Sequence, residues 1–172
     1  MSGEKLMAGT SFPKLSWPTV NGGALNLTEI EGWRLLVVYR GQHCPICRRY
    51  LTTLNGLASD FGGAGIKVFA VSADTKAKAE TEAQEEGWTF PVGFDLMPDQ
   101  MNALGLYVSN PRSVEETDRP FSEPGLFVIN PDGKVQVIDV SNAPFARPDL
   151  SQLLGGLKFV IGNDYPIRGM AG

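Results

Sequence analysis

The chain's only two thiols lie three residues apart, in Cys44-Pro45-Ile46-Cys47. That spacing suits redox chemistry if the segment opens a helix. Proline is favoured at the first helical position, where its missing N–H is no loss. Cys44 then falls at or near the N-cap, and Cys47 lies one turn inside. Unpaired N–H groups and the helix macrodipole stabilise an anion there, so a thiolate at Cys44 gains a depressed pKa. Arg40, His43, Arg48 and Arg49 are close in sequence, and any that points at the sulfurs lowers it further. Sulfurs on one helical turn can also meet at bonding distance. The pair can therefore cycle between dithiol and a Cys44–Cys47 disulfide.

Other uses of the motif fit less well. A closed zinc site needs four ligands, and this chain offers two cysteines and a single histidine, His43. Carboxylates would have to complete the set, so no metal is expected. Haem attachment needs His directly after the second cysteine, where Arg48 stands. Two inert buried thiols fit poorly with a strand–loop–helix setting. His43 has two open readings, as a proton shuttle for Cys44 and as a solvated loop residue.

The surrounding pattern supplies the elements that position the motif. Trp33 to Tyr39 is an almost continuous apolar run, the mark of a central strand buried on both faces. Gly41 breaks it, and from Pro45 the apolar period becomes helical through Leu51, Leu54, Ala58 and Phe61, ending at Gly62-Gly63. Ile66 to Ser72 reads as a second buried strand. Thr75 to Glu86 reads as a solvent-facing helix stopped by Gly87, with Glu80, Glu82, Glu85 and Glu86 on a solvated face. This unit implies a parallel pair with a right-handed crossover. Shorter elements are expected at 15–19, 24–27, 28–30, 90–92 and 99–104. Residues 109–123 are polar and hold two prolines, so an exposed loop is expected. Gly125 to Ile129, a turn at Asn130-Pro131-Asp132-Gly133, and Lys134 to Val140 form a hairpin. Asp149 caps a last helix with a stripe of Leu150, Leu153, Leu154, Leu157 and Val160. The expected fold class is α/β: a single domain over 1–172, with a mixed central sheet flanked by helices. Residues 1–14 form a lead-in, and 149–172 form the C-terminal helix and tail.

Composition narrows the setting. The net charge is −4, and the longest cationic cluster is Arg48-Arg49, so no nucleic-acid footprint is expected. No run approaches the roughly 18 apolar residues of a membrane span, and the first residues lack an apolar core of signal-peptide length. The expected compartment is the cytoplasm. Its thiol pool is reducing, which favours catalytic over structural use of a close cysteine pair.

The segment VVYRGQHCPICRRYL resembles the active-site segment of the thioredoxin superfamily, in its alkyl hydroperoxide reductase/thiol-specific antioxidant (AhpC/TSA), peroxiredoxin-like branch. So do FAVSADT at 69–75, WTFPV at 88–92 and PGLFVINPDGKV at 124–135. The resemblance runs from about Phe12 to Val140 and implies a thioredoxin-like fold. The tail, with FARPDL at 145–150 and DYPIRG at 164–169, resembles a group of peroxiredoxin-like proteins that carry the same Cys-Pro-X-Cys. Two departures stand out. Where peroxiredoxins have a Pro-X-X-X-Thr-X-X-Cys pattern, this chain has Arg40 for the proline and Cys44 for the threonine, keeping only Cys47 at the peroxidatic place. Where they use an arginine before the later strand, this chain has Pro124. The thioredoxin resemblance implies a cis peptide at Pro124, packed against the active-site disulfide.

The resemblance implies a thiol-dependent oxidoreductase with no bound cofactor, and two mechanisms. In one, Cys44 attacks a substrate disulfide and Cys47 resolves the mixed disulfide. In the other, Cys47 attacks a peroxide and Cys44 condenses with the resulting sulfenic acid; Arg40, Arg48 or Arg147 would polarise the O–O bond. Cys44 is the favoured nucleophile, with Pro45, Arg40, His43, Arg48 and Pro124 in support. The implied partners are a thiol reductant such as thioredoxin or glutathione, a peroxide or disulfide substrate, and a second copy in a homodimer. A non-catalytic redox sensor and an iron–sulfur carrier are the remaining alternatives.

Overall fold

The computed structural model describes residues 5–171, so part of the expected lead-in, 1–4, lies outside the described residues. A small hairpin comes first, β1 (Trp17–Pro18) and β2 (Ala24–Leu25), followed by a 3-10 turn at Leu27–Glu29. Then come β3 (Trp33–Val38), α1 (Pro45–Gly63), β4 (Ile66–Val71), α2 (Lys76–Glu86), β5 (Val92–Gly93) and α3 (Pro98–Ala103). The second half holds β6 (Val108–Ser109), β7 (Phe121–Ser122), β8 (Gly125–Ile129), β9 (Val135–Val140) and α4 (Leu150–Gly162).

The central sheet has the order β5-β4-β3-β8-β9. β3 and β4 are parallel, with Trp33 opposite Ile66 and Val38 opposite Val71. β8 runs antiparallel to β3, and β9 antiparallel to β8. The sheet is mixed, as the sequence pattern predicts. β3 sits at its centre because both its faces are apolar. Strand alternation sends Leu35, Val37 and Tyr39 toward Leu51, Leu54 and Phe61 of α1, Ala79 and Ala83 of α2, and Leu150, Leu154 and Leu157 of α4. Leu36 and Val38 face the other layer, where Trp17, Leu27, Met101 of α3, Phe121 and Phe127 pack. Burying side chains of this size supplies about 1.5–3 kcal/mol each against conformational entropy.

Local chemistry sets the helix ends. Thr75 Oγ1 accepts from Lys78 N–H at the start of α2, and Gly87, with φ +68°, closes it. Asp149 caps α4 by accepting from Gln152 N–H at 2.9 Å. At the hairpin between β8 and β9, Asn130 Oδ1 accepts the N–H groups of Asp132 and Lys134. Near the start of β3, the buried Arg34 donates to the carbonyls of Gly32, Leu27 and Asn130.

Three expectations need correction. Residues 109–123 are not simply an exposed loop: β7 pairs with β6, and Thr117, Phe121, Ser122 and Glu123 are buried. Ion pairs of Lys78 with Asp118 and of Arg40 with Glu123 draw this polar stretch against the body. Glu82 is not on a solvated face; it is 1% exposed and paired with Arg48 from α1. Pro124 does not follow a cis bond, since no cis peptide occurs among the described residues. The chain passes straight from β7 into β8, held by Glu123 N–H to Tyr107 O and Ser141 N–H to Pro124 O. A trans bond keeps that course extended.

Candidate active site

β3 delivers the chain to the site and Gly41 turns it. Tyr39 N–H still donates to Val71 O. Gly41 then adopts φ +138°, a left-handed conformation that favours glycine. A Cβ there would lie 2.5 Å from Asp74 Oδ1. This close approach lets the buried Asp74 carboxylate accept Gln42 N–H at 2.7 Å. Burial lifts the Asp74 pKa, and the Gln42 N–H opposes the lift. Cys44 N–H donates to Gly41 O, closing the loop.

Cys44 is the N-cap of α1, and Pro45 opens the helix. Cys44 Sγ accepts the Cys47 N–H at 3.3 Å, so a helix-terminal donor points at this sulfur. Both cysteines are free thiols; Cys44 is 4% exposed and Cys47 fully buried. The pKa values of the pair diverge. The Cys47 thiol donates to Cys44, and with the Cys47 N–H, Arg40 and Arg147 it outweighs burial and lowers Cys44 to about 6. Donating that proton, together with burial, pushes Cys47 well up, with Arg147 acting against the rise. Across the pair, the negative charge is favoured on Cys44 and the proton on Cys47.

Four basic side chains lie near the head of α1, each in a different state. Arg40 makes a bidentate pair with the buried Glu123, at 2.8 and 2.9 Å. Glu123 also accepts from Ser109 Oγ at 2.6 Å. The Arg40 guanidinium lies 5.3 Å from the Phe121 ring centroid, and His43 packs edge-on against the same ring at 4.6 Å. Neither His43 nitrogen has a hydrogen-bond partner and both are buried, and burial lowers its pKa. Arg48 donates to Glu82 Oε2 at 3.1 Å and to Gln42 O at 2.9 Å. Arg147, from the segment between β9 and α4, arrives over the Tyr50 ring at 4.3 Å. Tyr50 Oη donates to Pro148 O at 2.6 Å and fixes that platform.

Of the residues the sequence singled out, Arg40, Cys44, Pro45 and Cys47 gather at the head of α1, and Arg147 joins them. Pro124 lies next to Glu123, whose carboxylate reaches Arg40. Sequence reasoning missed Glu123, Asp74, Glu82 and Tyr50. Glu123 left no local signal, because it sits in a polar stretch and finds its partner 83 residues away. Asp74 was legible in principle, since an acidic residue just past a buried strand sits at the same sheet end as the motif. Among the described residues no three His, Cys, Asp or Glu side chains converge on a point where a metal ion would bind.

This arrangement sets an acidified thiol at a helix start, with a second thiol one turn inside and Arg40 and Arg147 acting on both. Residues 8–138 match the model of the AhpC/TSA family. The chain is 27% identical over 137 residues to a putative peroxiredoxin of Mycobacterium tuberculosis, spanning 77% of this chain and 84% of that one. It is 25% identical over 151 residues to the thiol-disulfide oxidoreductase ResA of Geobacillus thermodenitrificans, spanning 87% and 78%. Among solved structures, a peroxiredoxin-like protein from Aquifex aeolicus superposes with TM-score 0.78 at 16% identity, covering 92% of this chain and 90% of that one. The peroxidoxin BcpB of Mycobacterium tuberculosis superposes with TM-score 0.74 at 19% identity, covering 90% and 98%. At these identities the structural likeness concerns the fold, which is thioredoxin-like.

Proposed function

The chain belongs to the AhpC/TSA family, and from that premise we propose that it reduces disulfides, with Cys44 as nucleophile and Cys47 as resolving thiol. It is a thiol-dependent oxidoreductase, in keeping with relatives named as peroxiredoxins and as thiol-disulfide oxidoreductases. The observation that carries the assignment of roles is the Cys47 N–H aimed at Cys44 Sγ at 3.3 Å, at the start of α1. The pKa of about 6 at Cys44 supports the same choice, since its sulfur is mostly thiolate at neutral pH.

The cycle has three steps. Cys44 thiolate attacks one sulfur of the substrate disulfide; the S–S bond breaks, and one thiolate leaves. Cys47 then loses its proton to that thiolate and attacks Cys44 Sγ, expelling the second substrate thiolate. The substrate gains two electrons and the cysteines become a disulfide. A cellular dithiol such as thioredoxin, or two molecules of glutathione, returns them to the reduced state. The Arg40–Glu123 pair holds a cation near Cys44 without leaving a buried charge unpaired. The same reading includes a cytoplasmic setting and a homodimer, which cell fractionation and sedimentation test.

The relatives named as peroxiredoxins favour a second reading, in which Cys47 attacks peroxide and Cys44 resolves. Full burial and a raised pKa at Cys47 weigh against it. Cys44→Ser and Cys47→Ser, assayed separately, divide the two. Under the first reading Cys44→Ser loses disulfide reduction, and Cys47→Ser accumulates a mixed disulfide on Cys44, seen by mass spectrometry. The first reading fails if Cys44→Ser keeps a first turnover with peroxide and Cys47→Ser has none. Sustained turnover with dithiothreitol removes the sensor alternative, and a colourless protein after anaerobic purification removes the iron–sulfur carrier.

A further inference from the structure

We propose that Arg147 is the charge partner of Cys47 in the second half of the cycle: its uncommitted guanidinium, held over Tyr50 beside the sulfur pair, favours the Cys47 thiolate that releases the substrate. The proposal rests on the disulfide-reductase reading above.

Three observations converge on Arg147. All three guanidinium nitrogens, Nε, Nη1 and Nη2, are buried without a hydrogen-bond partner. Burying a cation this way is costly unless an anion meets it. Its neighbours are already committed, Arg40 to Glu123 and Arg48 to Glu82, while Arg147 forms no ion pair among the described residues. Its place is also fixed. The guanidinium stacks 4.3 Å from the Tyr50 centroid, and Tyr50 is anchored through Pro148, the residue next to Arg147. Tyr50 lies three residues after Cys47, one turn along α1, which sets the stacked cation on the face of α1 that carries Cys47.

An anion on Cys47 appears only during turnover. In the reduced state Cys44 carries the negative charge and has other donors. Once Cys44 is tied in a mixed disulfide, that charge is gone and Cys47 must ionise in a fully buried position. Two groups then favour its thiolate, the Arg147 charge and the Arg40 N–H, against burial. Two carboxylates on neighbouring elements, Asp139 of β9 and Asp149 at the start of α4, act on Tyr50; neither forms an ion pair with Arg147. Electrons and atoms balance as in the second step above: the S–S bond to the substrate breaks, the Cys44–Cys47 bond forms, and the Cys47 proton ends on the first released thiolate. A merely structural Arg147 would pack its stem on Tyr50 equally well and leave the rates of the two steps in their original ratio.

Dithiodipyridine, an uncharged chromophoric disulfide, reads both steps, because each releases one thiopyridone. Stopped-flow records of the reduced protein should show two phases, attack by Cys44 and resolution by Cys47. Arg147→Met keeps the apolar stem over Tyr50 and removes the charge. At neutral pH its second phase should slow about tenfold, as expected for one pH unit of lost ionisation. Its first phase should change less than about twofold, and the pH midpoint of the second phase should rise. Arg147→Lys should restore most of the rate. The proposal is overturned if Arg147→Met resolves at the wild-type rate with an unmoved midpoint, or if Arg147→Lys is as slow as Arg147→Met. Should Arg147→Met fold poorly, as judged by its denaturation midpoint, the pH profile of Arg147→Lys decides, since a retained cation must retain the midpoint. Failure of the underlying reading has a different signature: Cys44→Ser would keep the first phase.

Discussion

Replacing Cys47 by alanine should raise the pKa of Cys44 without exposing it. In the native site the Cys47 thiol makes the largest contribution to the lowered value, ahead of the Cys47 N–H and the charges of Arg40 and Arg147. The drop from the ordinary value of 9.0 to about 6 corresponds to about 4 kcal/mol in favour of the thiolate. A hydrogen bond to a charged group contributes about 1.5–3 kcal/mol, so losing the S–H donor should return one to two pH units. The midpoint of Cys47→Ala is then expected between about 7 and 8. At neutral pH the ionised share of Cys44 should fall from about nine-tenths to about half or less. Ultraviolet absorbance of the thiolate and the pH dependence of iodoacetamide alkylation both report this midpoint. Stability supplies a second readout. Cys44 is more acidic folded than unfolded, so its contribution is complete above about pH 9 and is lost as pH falls toward about 6. The stability difference between the reduced protein and Cys44→Ala should therefore grow across that window, with about 4 kcal/mol as a ceiling. A wild-type midpoint at or above about 8, or a Cys47→Ala midpoint equal to the wild-type one, would refute the reasoning.

Three further outcomes follow from buried polar groups around the site. Burial lifts Glu82 from 4.5 to about 7, so the folded chain keeps a proton that the unfolded chain has lost, and this group's contribution to stability declines as pH rises through that window. The stability of Glu82→Gln relative to wild type should accordingly rise from about pH 4.5 to 7, by at most about 3 kcal/mol, in urea denaturation at matched pH. Glu123→Ala strands Arg40 and the Ser109 hydroxyl, and should cost about 2–4 kcal/mol by the same measurement; a cost under about 0.5 kcal/mol would show that the bidentate pair carries little. Gly41→Ala forces a Cβ to within 2.5 Å of Asp74 Oδ1 at φ +138°, and should destabilise by about 1–3 kcal/mol while slowing thiol alkylation, because the Gln42 to Asp74 hydrogen bond must move.

What the sequence revealed was what neighbouring residues decide. The WRLLVVY run, the switch to helical period at Pro45 and the Asn130-Pro131-Asp132-Gly133 turn each carry their signal within a few residues, and all appear as expected. The cysteine pair is legible for the same reason, since strand, glycine break and helix start are contiguous. Groups whose state depends on a distant partner were not legible. Glu82 reads as one of several solvated glutamates until Arg48, 34 residues earlier, is brought against it. Thr117, Ser122 and Glu123 look like surface because the stretch around them is polar, yet they are buried, with Glu123 paired to Arg40. Pro124 shows a related limit: a proline before a buried strand is compatible with either peptide isomer, and here the bond is trans.

Arg34 gives the sheet a pole that chemistry at the opposite end does not reach. Its three acceptors are main-chain carbonyls, and carbonyls neither titrate nor change oxidation state. The acceptors that tie Leu27, Gly32 and Asn130 together are thus the same in dithiol and disulfide protein. The strand that carries Arg34 leads directly into the loop before Cys44. A rise or fall in charge at the sulfurs is therefore met by a backbone whose far end is moored to groups indifferent to it.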